Sequence, residues 1–221
     1  MSEMSFYRNR AETIRTFHGF SNTGYNNRGQ ISPDDDRDVV ATYAQLGFAH
    51  ARELEAALDE LDLLNNQRSI DVLDIGCGLG ITRAVLKDRG LKLKSYAGID
   101  ANEEMLWMAQ QIDSFGDFWT DFSTVGQKSG TVFVLFNHVL GQDSVSHVNI
   151  KDWVTQLKKI CLSEVRVLSI EPARFQPSKQ GRATLERALS AIGFRALQKT
   201  ERVIPGEFKD QKSIVSWTAQ S

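Results

Sequence analysis

The sequence predicts a doubly wound α/β fold around a mostly parallel sheet, and three observations carry that prediction. Short apolar runs alternate with amphipathic stretches along most of the chain. The run Thr131–Phe136, T-V-F-V-L-F, is almost continuously apolar, as a central parallel strand covered on both faces must be. The run Asp71–Gly80, D-V-L-D-I-G-C-G-L-G, passes directly into the amphipathic segment Ile81–Arg89, giving strand, glycine loop and helix in succession.

Val72, Leu73 and Ile75 form the first predicted strand, too short and too densely apolar for a helix. Gly76, Gly78 and Gly80 allow a sharp turn and a close approach of backbone to a ligand, which a Cβ would obstruct. The helix that follows is closed by Gly90, and its N-terminus offers free N–H groups and the positive end of a dipole. The dinucleotide fingerprint G-x-G-x-x-G does not fit, because Ile81 occupies the third glycine position and Gly80 comes one residue early. Asp74, two residues before the first glycine, suits an ammonium or sulfonium ligand better than a pyrophosphate. Leu93–Asp100 is the second strand, and Asp100 closes it where such folds hold ribose hydroxyls. A glycine turn without a ligand, and an acid that only caps the next helix, are the plainer alternatives.

The pattern D-x-G-x-G-x-G resembles motif I of the class I S-adenosylmethionine (SAM)-dependent methyltransferases, and G-I-D-A-N-E-E-M-L resembles their second motif. The resemblance covers Ser69 to the C-terminus. It implies a Rossmann-like, seven-stranded sheet with an antiparallel C-terminal strand, and SAM as cofactor. It implies that Asp74, Gly76, Cys77, Gly78 and Gly80 hold SAM, with Asp100 on the ribose and Ala101 toward the adenine. Glu103–Ile112 reads as a helix, and Gly116–Ser123 as a third strand ending in Asp121 and Phe122. By resemblance, Asp121 receives the adenine amine and Phe122 lies against the base; Trp119 reads as core.

The strand Thr131–Phe136 ends in N-H-V-L-G-Q, so Asn137 and His138 fall at the carboxyl edge, where ligands lie in open parallel sheets. Asn137 is assigned to the cofactor, and His138 is the candidate general base, an imidazole suited to proton transfer near neutral pH. The sequence here is not (D/N/S)-P-P-(Y/F), which disfavours transfer to DNA base amines, and neither Cys77 nor Cys161 falls at this edge, which disfavours a covalent mechanism. Asn149–Cys161 is a helix with Trp153, Val154, Leu157 and Ile160 inward, and Val165–Ile170 a fifth strand leading to Glu171, a candidate substrate contact. Ser178–Ile192 is a helix closed by Gly193; Phe194–Val203 and Ser213–Thr218 are two closing strands joined by a hairpin-like return.

With 221 residues, the chain suffices for one sizeable α/β domain with an appendage. The division is an N-terminal helical cap over residues 1–65 and a SAM-binding domain over 66–221. In the cap, Ser5–Phe17 reads as a helix. A second helix starts at Ser32 and Pro33, with Leu54, Leu58 and Leu61 on its apolar face. The Gly- and Asn-rich stretch His18–Gln30 between them is a candidate lid, with His18, Tyr25 and Arg28 as candidate substrate-binding residues.

The longest apolar run is far too short for a membrane span, no apolar signal core opens the chain, and the two cysteines form no metal-type cluster. A cytoplasmic protein without a metal is expected. The net charge of −2 argues against a general polyanion surface. Residues Asp34–Asp62 nevertheless carry nine acids and two bases, and Lys158–Arg202 ten bases and four acids. The basic region reads as solvated helix surface, since Lys158, Lys159, Arg182 and Arg187 fall in helical patterns. The expected acceptor is an O or N nucleophile of a small molecule; RNA, a protein, or a non-catalytic SAM-binding role are the other readings.

Overall fold

The computed structural model of the chain describes residues 50–59, 69–142, 145–191, 193–206 and 211–220. The expected helix Ser5–Phe17, the start of the second helix at Ser32, and the candidate lid with His18, Tyr25 and Arg28 lie outside the described residues; of the second helix, residues 50–59 are described and helical, with Leu54 and Leu58 buried as expected.

The strands are β1 (Ile70–Ile75), β2 (Leu93–Ile99), β3 (Asp117–Trp119), β4 (Val132–Asn137), β5 (Glu164–Pro172), β6 (Arg195–Pro205) and β7 (Gln211–Gln220). They form one sheet in the order β3-β2-β1-β4-β5-β7-β6. β1 to β5 pair in parallel, while β7 runs antiparallel to both β5 and β6. Strand order therefore reverses between β1 and β4, and ligands in such sheets bind at that reversal, outside the carboxyl ends.

Residues 50–59 are helical and are called α1; α2 (Ile81–Asp88), α3 (Glu103–Ile112), α4 (His147–Ile160) and α5 (Gln176–Ala191) follow. Alternate residues of each strand enter opposite cores, as the period of two demands. Val72, Tyr96, Phe133, Leu135 and Ile170 pack with Leu54 and Leu58 of α1, Val85 of α2 and Met108 of α3. Leu73, Ala97, Val134, Phe136 and Val167 pack with Val154 and Leu157 of α4 and Leu185 of α5. With both faces covered, β1 and β4 have buried side chains throughout except at Asn137, which explains the apolar run of β4 and leaves Asp71 and Asp74 of β1 as buried carboxyls.

Three expectations are corrected. The third strand is three residues long rather than Gly116–Ser123, so Asp121 and Phe122 lie in the bend beyond it. Trp119 is not core: at this sheet edge Phe118 points inward and its neighbours outward, leaving Trp119 37% exposed. Arg182 is not on a solvated surface. Its guanidinium is buried, donating from Nε to Ser169 Oγ at 3.1 Å and from Nη1 to Ser213 Oγ at 2.6 Å, which ties α5 to β5 and β7. Trp153 is only partly buried against its core.

Candidate functional site

The glycine loop leaves β1 and turns at once under the end of β2. Gly76 N and Cys77 N both donate to Ile99 O, at 2.7 and 3.1 Å, and Gly80 N donates to Cys77 O at 2.8 Å. Gly76 and Gly78 hold φ of 71° and 52°, in the left-handed region that side chains other than glycine disfavour. A Cβ on Gly76 would run into Val139 Cγ2, because the loop after β4 lies against it. A Cβ on Gly78 would meet no heavy atom within 4 Å. Gly76 is thus required by the fold, whereas Gly78 borders open space.

Asp100 knits the loop to the end of β2. Its Oδ2 accepts from Gly78 N at 2.9 Å, and its Oδ1 accepts from Asn102 N at 2.9 Å. Burial pushes its pKa above the ordinary carboxyl value, against the pull of those two backbone donors. Asn102 Oδ1 accepts from Met105 N at 3.2 Å, so Asn102 starts α3 and Asp100 remains at the loop. Ala101 is exposed beside it.

Asp74 is buried at the floor of the loop, and its Oδ2 accepts from the Tyr96 hydroxyl at 2.7 Å. Burial raises its pKa from 3.8 to about 6, in spite of hydrogen bonds from Tyr96 and Thr82. The Cys77 side chain turns inward, to where Gly98 leaves room for its Sγ, and only its backbone is placed to face a ligand. Asp121 is exposed and accepts from Ser123 N at 2.7 Å; hydrogen bonding from the Ser123 hydroxyl, and then from this backbone N–H, lowers its pKa. Phe122 is buried among Leu73, Ile99 and Phe136.

Asn137 and His138 reach the carboxyl edge of β4 as expected. Asn137 Nδ2 donates to His50 O at 3.4 Å, while its buried Oδ1 has no hydrogen-bond partner among the described residues. His138 holds φ of 59°, the one non-glycine residue described with positive φ, and such conformations concentrate at functional sites. Its Nε2 lies 2.6 Å from Glu53 Oε2, and its ring stacks on His50 with centroids 4.0 Å apart. The other oxygen of Glu53 lies 3.5 Å from Lys212 Nζ.

Glu171 also sits at this edge, but beneath the loop. Its Oε1 accepts from Val139 N and Leu140 N at 2.9 and 2.7 Å, and its Oε2 accepts from Ser178 Oγ at 3.0 Å. Those bonds hold in place the loop that carries His138. Glu53, His50 and Lys212 were not among the residues singled out from sequence. Glu53 and His50 lie on a helix whose acidic composition reads as surface, and Lys212 lies at the start of β7; no local motif marks any of them.

The strand order, the reversal at β1 and β4, and the glycine loop between β1 and α2 together define the Rossmann-like fold of the SAM-dependent methyltransferases. Among solved structures, this chain is similar to a SAM-dependent methyltransferase from Archaeoglobus fulgidus, at a TM-score of 0.55 and 16% identity over 77% of this chain and 94% of that one. It is similar to another from Aquifex aeolicus, at 0.53 and 16% over 81% and 97%. A third likeness is to the plantazolicin methyltransferase BpumL, solved in complex with SAH, at 0.52 and 14% over 97% and 99%. No family model and no curated protein matches the sequence. At these identities the likeness establishes the fold.

Proposed function

We propose that this protein is a SAM-dependent methyltransferase acting on an O or N nucleophile of a small molecule. One observation carries the reading: Gly78 N–H and the Asp100 carboxylate meet at 2.9 Å where the sheet order reverses, with open space beside Gly78. The residues present fit the cofactor. The space beside Gly78 is what a backbone-hugging ligand needs, and Asp74 is a desolvated carboxyl that a cation would relieve.

When bound, SAM supplies a methyl group already made electrophilic by the sulfonium. The protein's task is then alignment, which is worth up to several kcal/mol of barrier, with effective molarities of roughly 10⁵ M in well-oriented cases. Asp74 and the backbone of Gly76–Gly80 face the charged end, Asp100 the ribose, and Ala101, Asp121 and Phe122 the adenine side. In this reading the buried Phe122 acts from beneath the adenine side, and Asp121 gives up its bond to Ser123 N to receive the amine. Asn137, whose Oδ1 has no hydrogen-bond partner among the described residues, offers an acceptor at the reaction edge. His138 takes the acceptor's proton, a contribution on the order of a hundredfold or more. His18, Tyr25 and Arg28 complete the acceptor pocket in this reading, and Glu171 shapes it by supporting the His138 loop.

No helix among the described residues is long and apolar enough to cross a membrane. The test is incubation with SAM labelled in its methyl group and fractionated cell extract. Label in metabolites is expected; label in RNA or protein would replace the small-molecule reading, and SAM bound without any transfer would replace catalysis by a binding role.

A further inference from the structure

We infer that Glu53 is a positioning residue for His138, holding its imidazole as the proton acceptor of the site, with His50 as the wall behind it. The inference rests on the methyl-transfer reading above and adds two residues of the N-terminal segment to its chemistry.

Three chain segments far apart in sequence converge here. Helix α1 presents His50 and Glu53 on one face, three residues apart. The turn after β4 presents His138, and the start of β7 presents Lys212. Glu53 is 2% exposed, and a carboxylate so deep needs compensation. It has it on both oxygens: Oε2 lies 2.6 Å from His138 Nε2, and Oε1 lies 3.5 Å from Lys212 Nζ. Opposite Glu53, His138 Nε2 is the N–H donor, which leaves the in-plane lone pair on Nδ1. The backbone of His138 is itself held in an uncommon conformation, with its N–H donating to Ile170 O at 2.8 Å. Base and orienting acid in this arrangement follow the general logic of paired catalytic groups.

His50 lies parallel to His138, 8° between planes. Burial, reinforced by His138, lowers its pKa to about 3, so it stays neutral and does not compete for the proton. The three side chains could also be read as metal ligands, since one atom from each lies within 4.8 Å of the others. Two observations weigh against that. Parallel stacked imidazoles cannot both aim in-plane lone pairs at one ion, and the Lys212 ammonium already supplies the positive charge that Glu53 requires.

The acceptor's heteroatom gives its proton to Nδ1 of His138, and its electron pair forms the bond to the methyl carbon. The carbon–sulfur pair returns to sulfur, which leaves as a neutral thioether. The imidazolium so formed is stabilised by Glu53, and the proton is then released to solvent.

The experiment is NMR of protein carrying ¹⁵N-labelled histidine, tractable because the chain has four histidines. In the unmodified protein a strongly low-field N–H proton on His138 Nε2 is expected, and it disappears in Glu53→Gln. It persists on adding EDTA, and zinc leaves the His50 and His138 signals in place. Absence of that proton in the unmodified protein overturns the inference, as does a stoichiometric zinc shift of both histidines, which would make the cluster a metal site. Because Glu53→Gln could perturb the fold, the unmodified spectrum alone suffices to refute. With the acceptor found by label transfer, Glu53→Gln lowers kcat by about tenfold or more at little change in KM. SAM titration by calorimetry separates the two readings: loss of SAM binding with the low-field proton intact refutes the methyltransferase reading, not the pairing.

Discussion

Replacing Asp74 with Asn probes whether the glycine loop is built to receive a cation. In the folded protein burial raises the Asp74 pKa from 3.8 to about 6. An unfolded chain keeps the ordinary value, so the proton is bound more tightly in the folded state. Below about pH 4 both states carry it and the carboxyl costs nothing. As pH rises toward about 6 the unfolded state ionises first, and stability falls by about 1.4 kcal/mol per unit of pKa difference. The full cost, about 3 kcal/mol, is reached above pH 6 and persists at neutral pH. Asn keeps an oxygen for the Tyr96 hydroxyl and cannot ionise. Asp74→Asn is therefore expected to stabilise the ligand-free protein by up to about 3 kcal/mol at neutral pH, with the gain vanishing near pH 4. Urea unfolding of both proteins across that range measures it. The same change should weaken SAM binding about tenfold or more by calorimetry, since a cation beside Asp74 favours the ionised form. A gain independent of pH, or a loss at neutral pH, would refute the account of Asp74 as a carboxyl strained by desolvation.

Gly78→Val should cost about 1–2 kcal/mol of stability through its left-handed backbone yet abolish SAM binding, because its side chain enters open space rather than the core. Gly76→Ala should be the more destabilising of the two in urea, since its Cβ collides with Val139, and equal losses would contradict the loop packing. Asp100→Ala is expected to weaken SAM binding by about 1–3 kcal/mol, measured by calorimetry, with the Gly78 and Asn102 amides left unpaired. Glu171→Ala should lower stability by about 3 kcal/mol in urea, because two buried backbone N–H groups lose their acceptor; an unchanged midpoint would remove its supporting role.

The sheet and its helices were legible in the chain because each strand's apolar run and each helix's periodicity are local properties. Glu103–Ile112 and Leu93–Ile99 matched their patterns to within a residue. The glycine loop and Asp100 were legible too, since close backbone approach restricts which residues fit and the strand–loop–helix spacing sets the distance between them. Trp119 and Arg182 were misread, because exposure at a sheet edge and burial between α5 and β7 depend on which elements become neighbours.

The sequence by itself determined the glycine turn, the acids at the ends of β1 and β2, and the edge where Asn137 and His138 emerge. Only the tertiary structure decided what His138 meets there. Its partner Glu53 is 85 residues away in the chain, and their 2.6 Å contact arises from packing α1 against the sheet, which no local pattern encodes.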